Sequence, residues 1–151
     1  MTTQRRTPLS KDKLDAIRAI VGPKGVFEGE DAAPFLSEWR GRWPGEAALI
    51  VAPASTEEVA KIVKYCSDND IAVTPQGGNT GLVGGQIPFG DEILLSLKRM
   101  RKIRAIEPLN NTMTVDAGVT RVSVGVQSFD DELLRASGRA HGVAEVEEAL
   151  G

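Results

Sequence analysis

The chain is short of the residue types that build most catalytic and metal centres. Its 151 residues include one cysteine, Cys66, and one histidine, His141. A lone cysteine excludes an internal disulfide framework and a multi-cysteine metal or cluster site. A lone histidine supplies no histidine cluster, and His141 is expected on the surface. No apolar run approaches the ~18 residues of a membrane-spanning helix, so no membrane partner is expected. Neither sign of charge dominates: 18 Lys and Arg against 21 Asp and Glu leave a net charge of -3. Nucleic acid, which wants a basic face, is therefore not an expected partner. Arg5 and Arg6 are followed by no apolar stretch, so the start does not read as a secretory signal. Together these absences predict a reduced, cytoplasmic protein. The basic run Lys98 to Arg104 is expected to be solvated surface.

What is present is a mixture of helix and strand patterns. Ser10 is placed to cap a helix whose Leu14, Ile17, Ile20 and Val21 share a face, and Gly22-Pro23 ends it. Residues 22–46 are rich in glycine and proline and read as loop, with one turn around Phe35 to Trp39. Trp39 and Trp43 are expected to pack onto the domain. Ala48 to Ala52 reads as a buried strand. Ser55 and Glu58 form a capping box, the serine oxygen taking one free amide of the helix start and the glutamate another. Val59, Ile62, Val63 and Cys66 then make an apolar stripe, with Cys66 as a small core residue. Ile71 to Thr74 is the next strand, completing a β-α-β unit whose crossover should be right-handed. Ile93 to Leu97, Ile103 to Ile106 and Thr112 to Ala117 read as further strands, the last two joined by a turn at Asn110-Asn111. Val122 to Val126 is strand-like, and helices are expected over Asp130 to Ser137 and Ala144 to Leu150.

The segment Pro75-Gln76-Gly77-Gly78-Asn79-Thr80-Gly81-Leu82-Val83-Gly84-Gly85 carries the chemistry. Five glycines stand in nine residues directly after a strand. Glycine costs folding entropy, so such density needs a cause. Without Cβ atoms the backbone can take positive φ, turn successive amides toward one point and let a ligand approach closely, which makes an anion nest. Asn79 and Thr80 add short side-chain donors suited to phosphate oxygens. The alternative is a flexible or structural glycine turn. The spacing is neither a Walker motif nor the G-x-G-x-x-G fingerprint. The residues alone imply an anion or dinucleotide cradle.

This loop, with Ile87-Pro88 and Asp91 to Ser96 behind it, resembles the PCMH-type FAD-binding domain of the vanillyl-alcohol-oxidase superfamily. The nearest likeness is to the D-2-hydroxyglutarate, D-lactate and glycolate dehydrogenase group. Trp39-Arg40 and Val51 to Val59 upstream, and Thr114 to Val119 downstream, fit the same pattern, so the likeness covers about residues 30–120. The resemblance implies an α+β fold, the first lobe of that domain, with FAD as cofactor. It implies that Gln76, Gly77, Gly78, Asn79, Thr80 and Gly81 wrap the FAD pyrophosphate. Gly84 and Gly85 would shape the turn and Pro75 would set its entry. In that family a hydride passes from a 2-hydroxy acid to the flavin.

The family's second flavin-binding lobe and substrate domain do not fit in the 31 residues that follow. The chain is therefore expected to be a truncated lobe, catalytically incomplete alone, with apolar edges open to self-association. The alternative is a non-catalytic chimeric remnant or interaction module without cofactor. Arg121 to Phe129, Asp131 to Leu134 and Gly138 to His141 are similar to a piece of the radical-SAM coproporphyrinogen-oxidase-like proteins. That resemblance aligns Gln127 and Arg139 with residues contacting S-adenosylmethionine. The Cys-x3-Cys-x2-Cys motif is absent, so both are expected to be structural. The expected organisation is an extension over 1–29, a partial FAD-binding domain over 30–120, and a tail of different origin over 121–151.

Overall fold

A computed structural model describes residues 8–110 and 112–119. The tail expectations, including Gln127, Arg139, His141 and the strand and helices after Thr120, lie outside the described residues. The chain divides into two compact units, one ending at Met100 and one starting at Arg101.

The first unit is built on a four-stranded sheet in the order β1 (Val26–Phe27), β2 (Leu49–Val51), β4 (Ile93–Ser96), β3 (Val73–Gln76). The strands β2, β4 and β3 run parallel, and β1 adds antiparallel to β2. The expected β-α-β unit exists as β2, α2 (Thr56–Asp68) and β3, but β4 is inserted between its two strands. Leu49, Val51, Ile93 and Leu95 point to one face of the sheet. There they pack with Ile62 and Cys66 of α2 and with Ile17 and Val21 of α1 (Lys11–Val21). Ile50 and Leu94 point to the other face and pack on Phe35, at the end of a 3-10 turn over Gly29–Phe35. Both faces are covered, so β2 and β4 are continuous apolar runs rather than alternating ones.

Several local expectations need adjustment. Ser10 stands at the N-cap of α1 but makes no side-chain bond to its amides. The serine half of the capping box forms, Glu58 N donating to Ser55 Oγ at 3.2 Å, but the Glu58 carboxylate accepts from Ala54 N at 2.8 Å, one residue before the cap. Cys66 is buried as expected, whereas Val63 is 47% exposed, because the buried stripe runs through Ile62 and Cys66. The strand expected at Ile71 starts at Val73. Asp70 takes φ 55°, and the Ile71 amide turns back to the Cys66 carbonyl at 2.9 Å, which keeps Ile71 in the helix exit. At its other end β3 extends through Pro75 and Gln76, paired with Leu95 and Ser96. Proline is tolerated there because β3 is an edge strand.

The second unit holds a hairpin of β5 (Ile103–Glu107) and β6 (Thr112–Val115), with a 3-10 turn at Pro108–Asn110. Buried Asp116 accepts from Arg104 Nε at 2.6 Å and from the Lys102 amide at 3.1 Å. These partners, the guanidinium first, hold its carboxyl below the usual carboxylate range.

Candidate functional site

Ligands of parallel α/β sheets collect outside the carboxyl ends of the strands. Here β3 and β4 end in register, Gln76 opposite Ser96, and the Leu97 amide closes the ladder on the Gln76 carbonyl at 2.9 Å. The chain leaving β3 enters the glycine loop, and the chain leaving β4 reaches Lys98. A cavity of about 380 Å3 opens at this edge, lined by Gly77, Gly78, Asn79, Ser96, Lys98, Phe27, Phe35 and the acidic Glu30 and Asp31.

The loop is braced by side chains rather than left slack. Gln76 is buried, and its Nε2 donates to the Phe35 carbonyl at 2.9 Å and the Gln86 carbonyl at 3.1 Å. Asn79 Nδ2 donates to the carbonyls of Ser37 at 2.8 Å and Pro34 at 3.2 Å. Its Oδ1 accepts from Gln86 Nε2 at 3.2 Å, and that nitrogen also reaches the Gly81 carbonyl at 2.8 Å. The Asn79 amide group and the Gln76 Nε2 are thus committed to protein partners, which leaves Asn79 its backbone to offer a ligand. Within the loop, the left-handed positions are Asn79 (φ 54°) and Gly84 (φ 77°), not the Gly77-Gly78 pair. A Cβ on Gly84 would meet the Trp43 ring at 3.1 Å, so Trp43 is the wall against which the loop turns back. Gly81, Thr80 and Gly85 are exposed, and a Cβ on Gly85 would meet nothing within 4 Å. Among the described residues, no acceptor meets the amides of Gly77 through Gly81. Free backbone amides beside a cavity suit an anion, and Gly77, Gly78 and Asn79 of this row line it.

Sequence reasoning missed three supporting groups. Glu38 is buried, and its carboxylate accepts from the amides of Arg40 at 2.6 Å and Arg42 at 2.7 Å. Burial pushes its pKa up, but these amides and the two guanidinium charges outweigh burial and hold it below the usual range. Trp39 faces outward, 69% exposed beneath the Arg40 guanidinium, so the expected packing applies to Trp43 alone. Gln86 holds the loop from inside. Lys98 carries its ammonium 3.9 Å from the Phe27 ring centre and 4.4 Å from that of Phe35. Lys98 belongs to the basic run expected to be solvated. Lys98, Arg101, Lys102 and Arg104 are exposed as expected, Arg104 while pairing with Asp116, whereas Arg99 is half-buried and donates to the Ala52 carbonyl at 2.9 Å. Side-chain identity gave no signal here, because the partners lie far away in sequence.

A glycine loop at the strand ends of a parallel sheet stands where α/β folds bind their ligands, nucleotide cofactors among them. The comparisons make that particular: a family profile described as FAD binding domain matches residues 47–128, and the chain belongs to that family, with FAD as cofactor. The D-2-hydroxyglutarate–pyruvate transhydrogenase of Saccharomyces cerevisiae is 49% identical over 114 residues, covering 74% of this chain and 23% of that protein. The mitochondrial D-2-hydroxyglutarate dehydrogenase of Bos taurus is 34% identical over 110 residues, covering 73% of this chain and 20% of that protein. Among solved structures, p-cresol methylhydroxylase with substrate bound superposes with TM-score 0.59 at 26% identity, covering 74% of this chain and 24% of that one. An alkyldihydroxyacetonephosphate synthase gives TM-score 0.63 at 19% identity over 78% of this chain and 24% of that one, which shows a shared fold. The chain spans about a fifth of the length of the curated relatives it matches. The expected cytoplasmic location is overturned by relatives named as mitochondrial, in rice, Arabidopsis thaliana and cattle. Among the described residues, no helix is long and apolar enough to cross a membrane, and no group of three metal-ligating side chains occurs.

Proposed function

We propose that the glycine loop of this lobe holds the FAD diphosphate for a flavoprotein that oxidises a 2-hydroxy acid. The observation that carries the reading is the row of unpartnered amides from Gly77 to Gly81 beside a 380 Å3 cavity at the ends of β3 and β4. In this assignment Gly77, Gly78, Asn79, Thr80 and Gly81 offer their amides to the diphosphate. Pro75 and Gln76 fix where the loop leaves the sheet, and Gly84 and Gly85 turn it back over Trp43. Bound FAD supplies the hydride acceptor; this chain's residues bind and orient it. The relatives named for D-2-hydroxyglutarate support a 2-hydroxy acid as the substrate class of the whole protein. On the same grounds the location proposed for that protein is the mitochondrion.

The lobe extends over residues 30–120 in this proposal, with 1–29 an extension and 121–151 a tail of separate origin. The family match supports the lobe itself and runs past Thr120 to Ser128. Trp39, Leu82, Val83 and Phe89 are 69%, 47%, 86% and 58% exposed, and the lobe self-associates through them. Light scattering that shows a monomer at micromolar concentration sinks that part.

The test of the cofactor assignment is retention of FAD after purification and desalting, read by flavin absorbance. Gly78→Val is expected to abolish retention and Gly85→Ala to preserve it. Equal retention by both variants rejects the cradle, leaving a folded module without cofactor as the function.

A further inference from the structure

The glycine loop holds a diphosphate by amides alone, so a full positive charge on the same cavity decides how strongly the phosphates are preferred. Lys98 supplies one. Its ammonium is parked over Phe27 and Phe35, whose ring centres are 4.9 Å apart. A cation held by ring faces keeps its N–H groups for oxygen acceptors. Among the described residues Lys98 forms no ion pair. It leaves β4 beside the loop that leaves β3, and it lines the same cavity as Gly77 and Gly78.

The cavity is not a general anion trap. Glu30 and Asp31 line it as well, and two carboxylates repel a bare anion. Carboxylates accept hydrogen bonds from sugar or ribityl hydroxyls, as acidic residues do in other dinucleotide sites. The combination suits a ligand that brings hydroxyls to the acids and a phosphate to the lysine. We propose that Lys98 is a diphosphate-binding residue that makes this lobe discriminate FAD from flavins without phosphate. The inference rests on the assignment of the diphosphate to the glycine loop.

The experiment titrates FAD and riboflavin into the full chain by quenching of flavin fluorescence. It compares wild type, Lys98→Met, which keeps an apolar stem over the rings, and Lys98→Arg, which keeps the charge. Lys98→Met is expected to weaken FAD about tenfold, the effect of losing one charged hydrogen bond. Riboflavin should change by less than about twofold, since it brings no phosphate to lose. Lys98→Arg should stay within about threefold of wild type for FAD, because the cation is retained with different geometry. The FAD affinity of wild type should fall with added salt more steeply than that of Lys98→Met. Equal loss of both flavins in Lys98→Met overturns the proposal and leaves Lys98 as packing for the phenylalanines. Unchanged FAD affinity overturns it too. A wild-type chain that takes up no FAD overturns the loop assignment itself and this inference with it. Lys98→Gln repeats the comparison, so a folding defect of the Met variant does not decide the outcome.

Discussion

Asn79 and Ser37 lie 42 residues apart, and the Asn79 side-chain nitrogen donates to the Ser37 carbonyl at 2.8 Å. With the second bond to Pro34 it fastens the glycine loop to the end of the 3-10 turn and the residues just after it. Asn79 also supplies a left-handed backbone position, φ 54°, which asparagine tolerates better than most residues. Asn79→Ala loses both features and is expected to destabilise the chain by about 2 kcal/mol, from left-handed strain and lost hydrogen bonds. Asn79→Gly keeps the backbone and loses only the brace, so its cost should be about 1 kcal/mol. Urea unfolding of both variants checks the order. Equal costs would mean that the backbone conformation is not under strain in the alanine variant.

Gly84 separates conformational need from empty space. Its φ of 77° and the Trp43 ring 3.1 Å from a Cβ both oppose a side chain, whereas Gly85, one residue on, has open space. Gly84→Ala is expected to cost about 1–2 kcal/mol from left-handed strain alone. The Trp43 ring must also shift, which should change tryptophan emission. Gly85→Ala should fall within about 0.5 kcal/mol of wild type, as exposed substitutions usually do. Emission spectra and urea midpoints of the pair test the contrast. A Gly84→Ala protein with unaltered emission would show that Trp43 does not pack there in solution.

The strands β2 to β6, the α2 cap and the glycine loop were legible because each is written within a few neighbouring residues, whereas β1 fell in a stretch read as loop. Ser55 and Glu58 meet across one helical turn, and the apolar runs of β2 and β4 announce a sheet buried on both faces. The bracing of the loop was not legible, since Gln76 reaches Phe35 across 41 residues. Nothing in the basic run marks out Lys98, which is exposed like Arg101 but meets two phenylalanines far back in the chain. Glycine density pointed to positive φ, but of the loop's five glycines only Gly84 takes it, and the other left-handed position fell on Asn79, whose side chain can bond while its backbone bends.

Buried Glu38 makes the turn before the loop acid-sensitive. Its folded pKa is lowered, so a carboxylate of ordinary pKa about 4.3 in the unfolded chain binds protons more readily than in the folded one. Its stabilising contribution is complete above the unfolded value and disappears as pH falls through the folded value. Asp116 acts in the same direction and remains in any Glu38 variant. Glu38→Gln should therefore be less stable than wild type near neutrality, with a shallower decline between pH 5 and pH 3, on the order of the unfolded carboxylate range. Urea midpoints across that range give the comparison. Parallel pH profiles for the two proteins would show that the Arg40 and Arg42 amides do not favour the charged form.

Cys66 offers a test of the core between α2 and the sheet. The residue is 1% exposed, and burial pushes its thiol pKa above the ordinary value. The neutral thiol is not the nucleophile, so labelling by a disulfide reagent in the folded protein should await opening of the core. Denaturant near the unfolding midpoint should accelerate labelling sharply, because the opened state then carries the reaction. Cys66→Ser places a hydroxyl among Ile62, Leu49 and Leu95, and without a partner it should cost about 1–3 kcal/mol. Cys66→Ala removes the sulfur without adding a polar group and should cost less. Rapid labelling in native buffer would place Cys66 at an accessible surface and contradict the packing of α2 on the sheet.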